Sequence, residues 1–219
     1  MSIRGLLILV AMLAVPVGCA APRDASVPDG GHSLPSHTSG LDRPVVVRGD
    51  DGRPGTRSQT LLGRSSPDLV VLVFTSTTCP IANASTPAIL RLADARRAHE
   101  AELVLVHPDP LASAASIGAH AEARGLEGIA QVLDPGHRLV ELFDASVVPE
   151  VFVLQRGDDG WSCGYRGPID DLYAGIGRRR RAATRFHAVE AVERLSSGRQ
   201  VEQPRRIAHG CAIERVSSP

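Results

Sequence analysis

Six consecutive apolar residues, Leu69-Val70-Val71-Leu72-Val73-Phe74, run without a polar break into Thr75-Ser76-Thr77-Thr78-Cys79-Pro80. A strand with no polar face is buried on both sides, so it belongs in the middle of a sheet covered by other elements on each face. Proline suits the first turn of a helix, and Pro80 therefore marks a helix start directly after the polar turn. The chain thus delivers the Cys79 thiol from a central strand to a helix N-terminus. Unpaired N–H groups and the positive end of the macrodipole there favour thiolate over thiol. Because thiolate is the nucleophile, Cys79 is the first candidate catalytic residue.

The rest of the pattern alternates strands with helices. Val45-Val46-Val47 predicts a short strand and Asp50-Asp51-Gly52-Arg53-Pro54-Gly55 a turn. A helix is expected from Pro80 to about residue 100, kinked at Pro87, with Ile89, Leu90 and Leu92 facing inward. Strands are expected over 103–107, 129–133 and 147–154, with helices over 113–124, ended by Gly125, and over 136–143. Gly157-Asp158-Asp159-Gly160 predicts a hairpin into a strand over 161–166, and 182–195 reads as an amphipathic helix. The order β, α, β, α, β, α, β, β, α describes an α/β sheet with an antiparallel edge pair.

A length of 219 residues suits one core with tails. All 24 basic residues are Arg, and they balance 24 acidic ones. Neutrality argues against nucleic acid as a partner, and the lack of Lys excludes Schiff-base chemistry and a phosphate-loop lysine.

The start, Met1-Ser2-Ile3-Arg4 followed by an apolar stretch to Val15, reads as an export signal over residues 1–18, too short to span a membrane as a mature helix. Pro16-Val17-Gly18-Cys19-Ala20 resembles a bacterial lipobox, with Pro16 where Leu is usual. That resemblance makes Cys19 the lipidated first residue of a mature protein held at the cell envelope. Residues 19–40 are rich in Pro, Ser, Gly and Asp and read as a flexible tether. Export to an oxidising compartment permits disulfides among the remaining Cys79, Cys163 and Cys211, with one thiol left over.

The strand, Cys79-Pro80 and kinked-helix unit, together with Val148-Pro149-Glu150-Val151-Phe152-Val153-Leu154, resembles a thioredoxin-like domain over residues 41–200, followed by a tail over 201–219 that carries Cys211. Cys79-Pro80-Ile81-Ala82-Asn83, Tyr165-Arg166-Gly167-Pro168-Ile169-Asp170-Asp171 and Gly210-Cys211-Ala212-Ile213 are similar to segments of exported bacterial redoxins. The resemblance implies an α/β thioredoxin-like three-layer sandwich, with a central mixed sheet, an antiparallel edge hairpin and helices on both faces. It implies a cis Pro149 beside the thiol, with Thr78, Pro80, Val148 and Pro149 binding substrate. It implies no cofactor. One departure matters: thioredoxin carries Cys-x-x-Cys, whereas Ala82 stands here in the place of the second thiol.

Three chemistries remain open. In the first, Cys79 is the nucleophile of thiol–disulfide exchange on a protein thiol or disulfide, with Cys211 as distant resolving partner; the alternative for that pair is a static bridge tying down the tail. The second is a peroxidase similar to the alkyl hydroperoxide reductase and thiol-specific antioxidant family, acting on a hydroperoxide. That family places Pro seven and Thr or Ser three residues before its cysteine; Ser76 fits and Leu72 does not. Ser76 and Arg166 are the candidates for stabilising the thiolate. The third is a soft metal on Cys79, Cys211 and His107 or His209; the Cys pair usual in copper-delivering redoxins is missing, and no metal is expected. Cys163 reads as a small core or edge residue, Arg178-Arg179-Arg180-Arg181 as a solvated helix start, and Asp170 and Asp171 as turn or cap residues.

Overall fold

A computed structural model describes residues 32–33, 41–48 and 54–215 of the chain. The expected signal segment, Cys19, most of the tether and residues 50–53 of the first turn lie outside the described residues. Ten strands and five helices are described: β1 (His32–Ser33), β2 (Leu41–Arg48), β3 (Pro54–Leu61), β4 (Leu69–Phe74), α1 (Pro80–Ala84), α2 (Thr86–Ala98), β5 (Glu102–His107), α3 (Ala114–Arg124), β6 (Ala130–Leu133), α4 (Arg138–Phe143), β7 (Val147–Val148), β8 (Glu150–Gly157), β9 (Gly160–Gly167), α5 (His187–Ser196) and β10 (Cys211–Ala212).

Eight strands form one mixed sheet in the order β1-β9-β8-β4-β5-β6-β2-β3, and β10 pairs with β7 apart from it. β4 lies parallel to β5 and antiparallel to β8, and all six of its residues are buried. Side chains alternate across a strand, so Val71 and Val73 enter one core cluster and Val70, Leu72 and Phe74 the other. The first cluster is covered by α2, α3 and α5 through Ile89, Leu92, Ala121, Ala191 and Val192. The second is covered by α4 through Leu139, Val140 and Phe143, with Phe74 in edge contact with Phe143 and Phe152, whose own rings are tilted together. Helices thus lie on both faces of the sheet, with the β8–β9 hairpin near one edge, and the fold is thioredoxin-like.

Several expectations are corrected. The helix expected from 80 to 100 is two helices, broken at Ser85, because Pro87 has no N–H to give and sits instead in the first turn of α2. Leu90 is 38% exposed, since the inner stripe of α2 runs through Ala88, Ile89, Leu92 and Ala93. The strand expected over 147–154 is interrupted at Pro149, which cannot donate to a ladder. α5 starts at His187, five residues later than expected, and Arg178–181 lie in an exposed loop rather than at a helix start. There the backbone is taken up otherwise: Asp171 accepts from the N–H groups of Thr184 and Arg185, Arg180 N–H donates to the Leu172 carbonyl, and the Arg180 guanidinium lies 3.5 Å from Asp171. β3 was not foreseen, because Pro54-Gly55-Thr56-Arg57-Ser58-Gln59-Thr60-Leu61 shows no apolar alternation. β1 falls within the expected tether, its two residues pairing with Ser162 and Cys163. None of the described helices is long and apolar enough to cross a membrane.

Candidate functional site

Beyond Phe74 the chain leaves the sheet by a short turn whose polar residues satisfy one another. Thr75 N–H still donates to the Val106 carbonyl at 2.8 Å. Ser76 Oγ accepts from Thr78 N–H at 3.2 Å and lies 3.0 Å from Thr78 Oγ1. Asn83 Nδ2 donates back to the Thr77 carbonyl at 3.0 Å, while Asn83 Oδ1 lies 2.7 Å from His120 Nε2 on α3. These bonds hold the turn and α1 together, with Cys79 between them as the N-cap of α1. Its Sγ accepts from Ala82 N–H at 3.4 Å, so a side-chain sulfur satisfies one of the helix's orphan donors.

The second wall is the segment around Pro149. The Val148–Pro149 peptide bond is cis, and the Val148 carbonyl oxygen lies 3.4 Å from Cys79 Sγ. Against this segment runs β10, with Cys211 opposite Val148 and Ala212 opposite Val147. Cys79 and Cys211, 132 residues apart, are joined by a disulfide with a Cα–Cα distance of 6.2 Å.

Cys211 is held in place by more than that bond. Ile213 N–H donates to the Ser146 carbonyl at 3.0 Å, and Arg215 pairs with Asp144 at 2.8 Å. Upstream, Arg166 N–H donates to the Pro204 carbonyl at 2.7 Å and Arg206 N–H to the Arg166 carbonyl at 2.9 Å. Gly210 brings the tail against the Val148 carbonyl so closely that a Cβ there would stand 2.6 Å from the carbonyl carbon. With contacts on both sides of Cys211, breaking the disulfide leaves the two sulfurs at high effective concentration.

The disulfide opens into a cleft of about 340 Å³. Ser76, Thr78, Pro80 and Val148 contribute to its lining, so four of the residues singled out from the sequence meet at one place. Pro149 is buried behind Val148. Among the contributors not foreseen are His137, Asp109 and Glu214. They come from the α4 start, the β5–α3 loop and the tail, and no spacing in the chain links them to Cys79. His137 is buried and its Nε2 lies 2.8 Å from the Pro108 carbonyl, which sets one wall of the cleft. Asn83, though part of the quoted Cys-Pro-Ile-Ala-Asn segment, was not foreseen as the residue that ties the turn to α1.

Arg166 serves a different group from the one expected. Its Nε donates to Glu150 Oε1 at 2.7 Å and an Nη to the Asp144 carbonyl at 2.6 Å, with the guanidinium over the Phe152 ring. Glu150, 3% exposed, also accepts from Ser146 N–H at 2.9 Å. This cluster braces the segment on either side of Pro149. Among the described residues Cys163 is the cysteine outside the disulfide; it is half-buried on β9, its Sγ donates to the Tyr165 carbonyl at 3.2 Å, and burial pushes its thiol up to about 11. Among the described residues no group of three His, Cys, Asp or Glu is placed to hold a metal ion. His107, one of the two histidines considered for that role, is buried in the core with Nε2 2.8 Å from Gln131 Oε1.

No family model matches the chain, and no curated protein matches it. Among solved structures, a hypothetical protein of Sinorhizobium meliloti is 18% identical and superposes with a TM-score of 0.64 over 86% of this chain and 98% of that one. A conserved protein of Geobacillus kaustophilus is 19% identical, with a TM-score of 0.61 over 86% of this chain and 96% of that one. At such identities the likeness is one of fold.

Proposed function

Starting from a thioredoxin-like fold, we propose that the chain is a thiol–disulfide oxidoreductase whose working pair is Cys79 and Cys211. The observation that carries this reading is the placement of their disulfide at the floor of an open cleft, between a helix N-cap and the segment around Pro149. A bridge that served only to tie down the tail has no need of such a cleft, and the tail is already docked by contacts on both sides of Cys211. In the reaction a substrate dithiol gives two electrons and two protons to the Cys79–Cys211 disulfide, leaving two protein thiols and a substrate disulfide; the reverse also balances. Thr78, Pro80 and Val148 line the approach, and the volume of the cleft suits side chains of a polypeptide. A peroxidase reading loses support because Arg166 is engaged by Glu150 and Asp144.

The proposal extends to location: an export signal over 1–18 and lipidation at Cys19 would hold the domain at the cell envelope, where thiol exchange has substrates. The test is a titration of the purified domain in glutathione buffers, read by mass spectrometry of alkylated peptides, together with oxidation of a reduced dithiol peptide. A Cys79–Cys211 link that opens and re-forms across the titration supports exchange. A link that survives millimolar reductant in the folded protein refutes it. For the anchor, the mass of the N-terminal peptide from membranes decides, and an unmodified Cys19 refutes it.

A further inference from the structure

Exchange begins with an external thiolate attacking one of the two bridged sulfurs, and the two surroundings differ. Cys79 is 4% exposed and belongs to the apolar cluster beneath the cleft. Its Sγ accepts from Ala82 N–H and lies 3.4 Å from the Val148 carbonyl. Cys211 is partly exposed, on a two-residue strand whose other residue, Ala212, is exposed, as is Glu214 just beyond it. Thiol–disulfide exchange depends on which sulfur the attacker can reach and on which sulfur is better stabilised as it leaves. Both criteria select one direction here. Access favours Cys211, and the hydrogen bond waiting at Cys79 favours expulsion of that sulfur as thiolate.

We propose that Cys211, and not Cys79, is the sulfur that becomes bonded to substrate, with Cys79 as the leaving and resolving thiolate. This rests on the exchange reading above and reverses the roles expected from the sequence. In the first step the substrate thiolate bonds to Cys211 Sγ, the Sγ–Sγ bond breaks, and the electron pair passes to Cys79 Sγ, where Ala82 N–H donates to it. A proton from the second substrate thiol converts Cys79 to S–H, placed to donate to the Val148 carbonyl. That second substrate thiolate then attacks the substrate sulfur of the mixed disulfide and expels Cys211 as thiolate. The substrate ends oxidised by two electrons and the protein pair reduced by two. In the reverse direction, where a substrate disulfide is reduced, Cys211 again carries the mixed disulfide and Cys79 resolves it. The exposed edge of β10 then serves as the face along which the polypeptide lies.

The experiment uses the oxidised full chain with glutathione in excess, stopped by acid over a series of short times, blocked with N-ethylmaleimide and mapped by peptide mass spectrometry. The expected result at the earliest times is glutathione on Cys211 and N-ethylmaleimide on Cys79 in at least tenfold excess over the opposite arrangement. Glutathione on Cys79, or an even split, overturns the assignment while leaving the exchange reading intact. An unopened Cys79–Cys211 link overturns both. A second reading comes from single variants reacted with glutathione disulfide: Cys79→Ser should form its adduct at Cys211 with a rate at least tenfold above that of Cys211→Ser at Cys79. The opposite order also overturns the assignment.

Discussion

Replacing Gly210 by Ala perturbs the one place where the tail backbone touches the Pro149 segment. An added Cβ would lie 2.6 Å from the Val148 carbonyl carbon and 3.1 Å from Pro149 N. Non-bonded carbons prefer about 3.5–4.0 Å, so the two backbones must part by about 1 Å. Neither side can yield by rotating a side chain, since both atoms are main chain. The Val148 carbonyl also lies 3.4 Å from Cys79 Sγ, so retreat from Val148 is retreat from Cys79. The Cα atoms of the disulfide are already 6.2 Å apart, and bridged pairs seldom exceed about 6.8 Å. A shift of 1 Å is larger than that slack. The disulfide of Gly210→Ala should therefore form less readily, its equilibrium constant against glutathione falling at least tenfold, about 1.4 kcal/mol or about 30 mV for a two-electron couple. The assay is the fraction of Cys79–Cys211 link across glutathione buffers, with hydrogen exchange at Ile213 reporting whether β10 stays docked. A constant within twofold of the parent, with Ile213 equally protected, refutes the reasoning that close backbone approach at Gly210 sets the pairing.

Other outcomes follow from the same geometry. The charged carboxylates lining the cleft are Asp109 and Glu214, so cysteine peptides flanked by Arg should exchange several-fold faster than those flanked by Glu, with the gap closing as salt is raised; equal rates at low salt count against it. Burial pushes Cys163 up to about 11, so in the reduced native protein at pH 8 a thiol reagent should modify Cys211 well before Cys163, with Cys163 reacting fully only in denaturant, and equal rates at these two would contradict that. Glu150→Ala removes the closest carboxylate from a guanidinium that is only 23% exposed and the acceptor of Ser146 N–H; urea denaturation should show a loss of about 2–3 kcal/mol, less for Glu150→Gln. Burial holds His107 down at about 4 against the Gln131 bond. Its folded value lies below its unfolded one, so the stability it leaves intact above pH 6.5 is lost as pH falls toward 4, by up to about 3 kcal/mol. The stability of His107→Gln should fall less over that window, and parallel curves would refute the assignment.

Much of the fold is legible because it is local or periodic. The apolar run of β4, the Ser113 cap and Gly125 stop of α3, and the Asp158-Asp159 turn of the β8–β9 hairpin all announce themselves within a few residues. The elements that escaped are those held by partners distant in sequence. β3 is stabilised by pairing with β2 across register Leu41 to Leu61, without an apolar stripe of its own. The late start of α5 reflects Asp171 capturing Thr184 and Arg185, a competition that no helix propensity contains. At the site, Ser76, Thr78 and Pro80 were visible because they adjoin Cys79 in sequence. His137, Asp109 and Glu214 were not, because only the packing of α4, the β5–α3 loop and the tail brings them to the cleft.

The chain by itself determines that a thiol stands between a buried strand and a helix, that Ala82 denies it a neighbouring thiol, and that Pro80 opens that helix. Those statements depend on side-chain period, proline chemistry and residue identity, which act over one or two turns of backbone. Which sulfur meets Cys79, which side of it is covered and where Arg166 spends its charge were decided only by the tertiary structure. A contact across 132 residues forms because the β7–β10 pairing, the Gly210 approach, the Arg215–Asp144 pair and the Arg166 backbone bonds to Pro204 and Arg206 each help to locate the tail. No short-range rule encodes that agreement of distant parts.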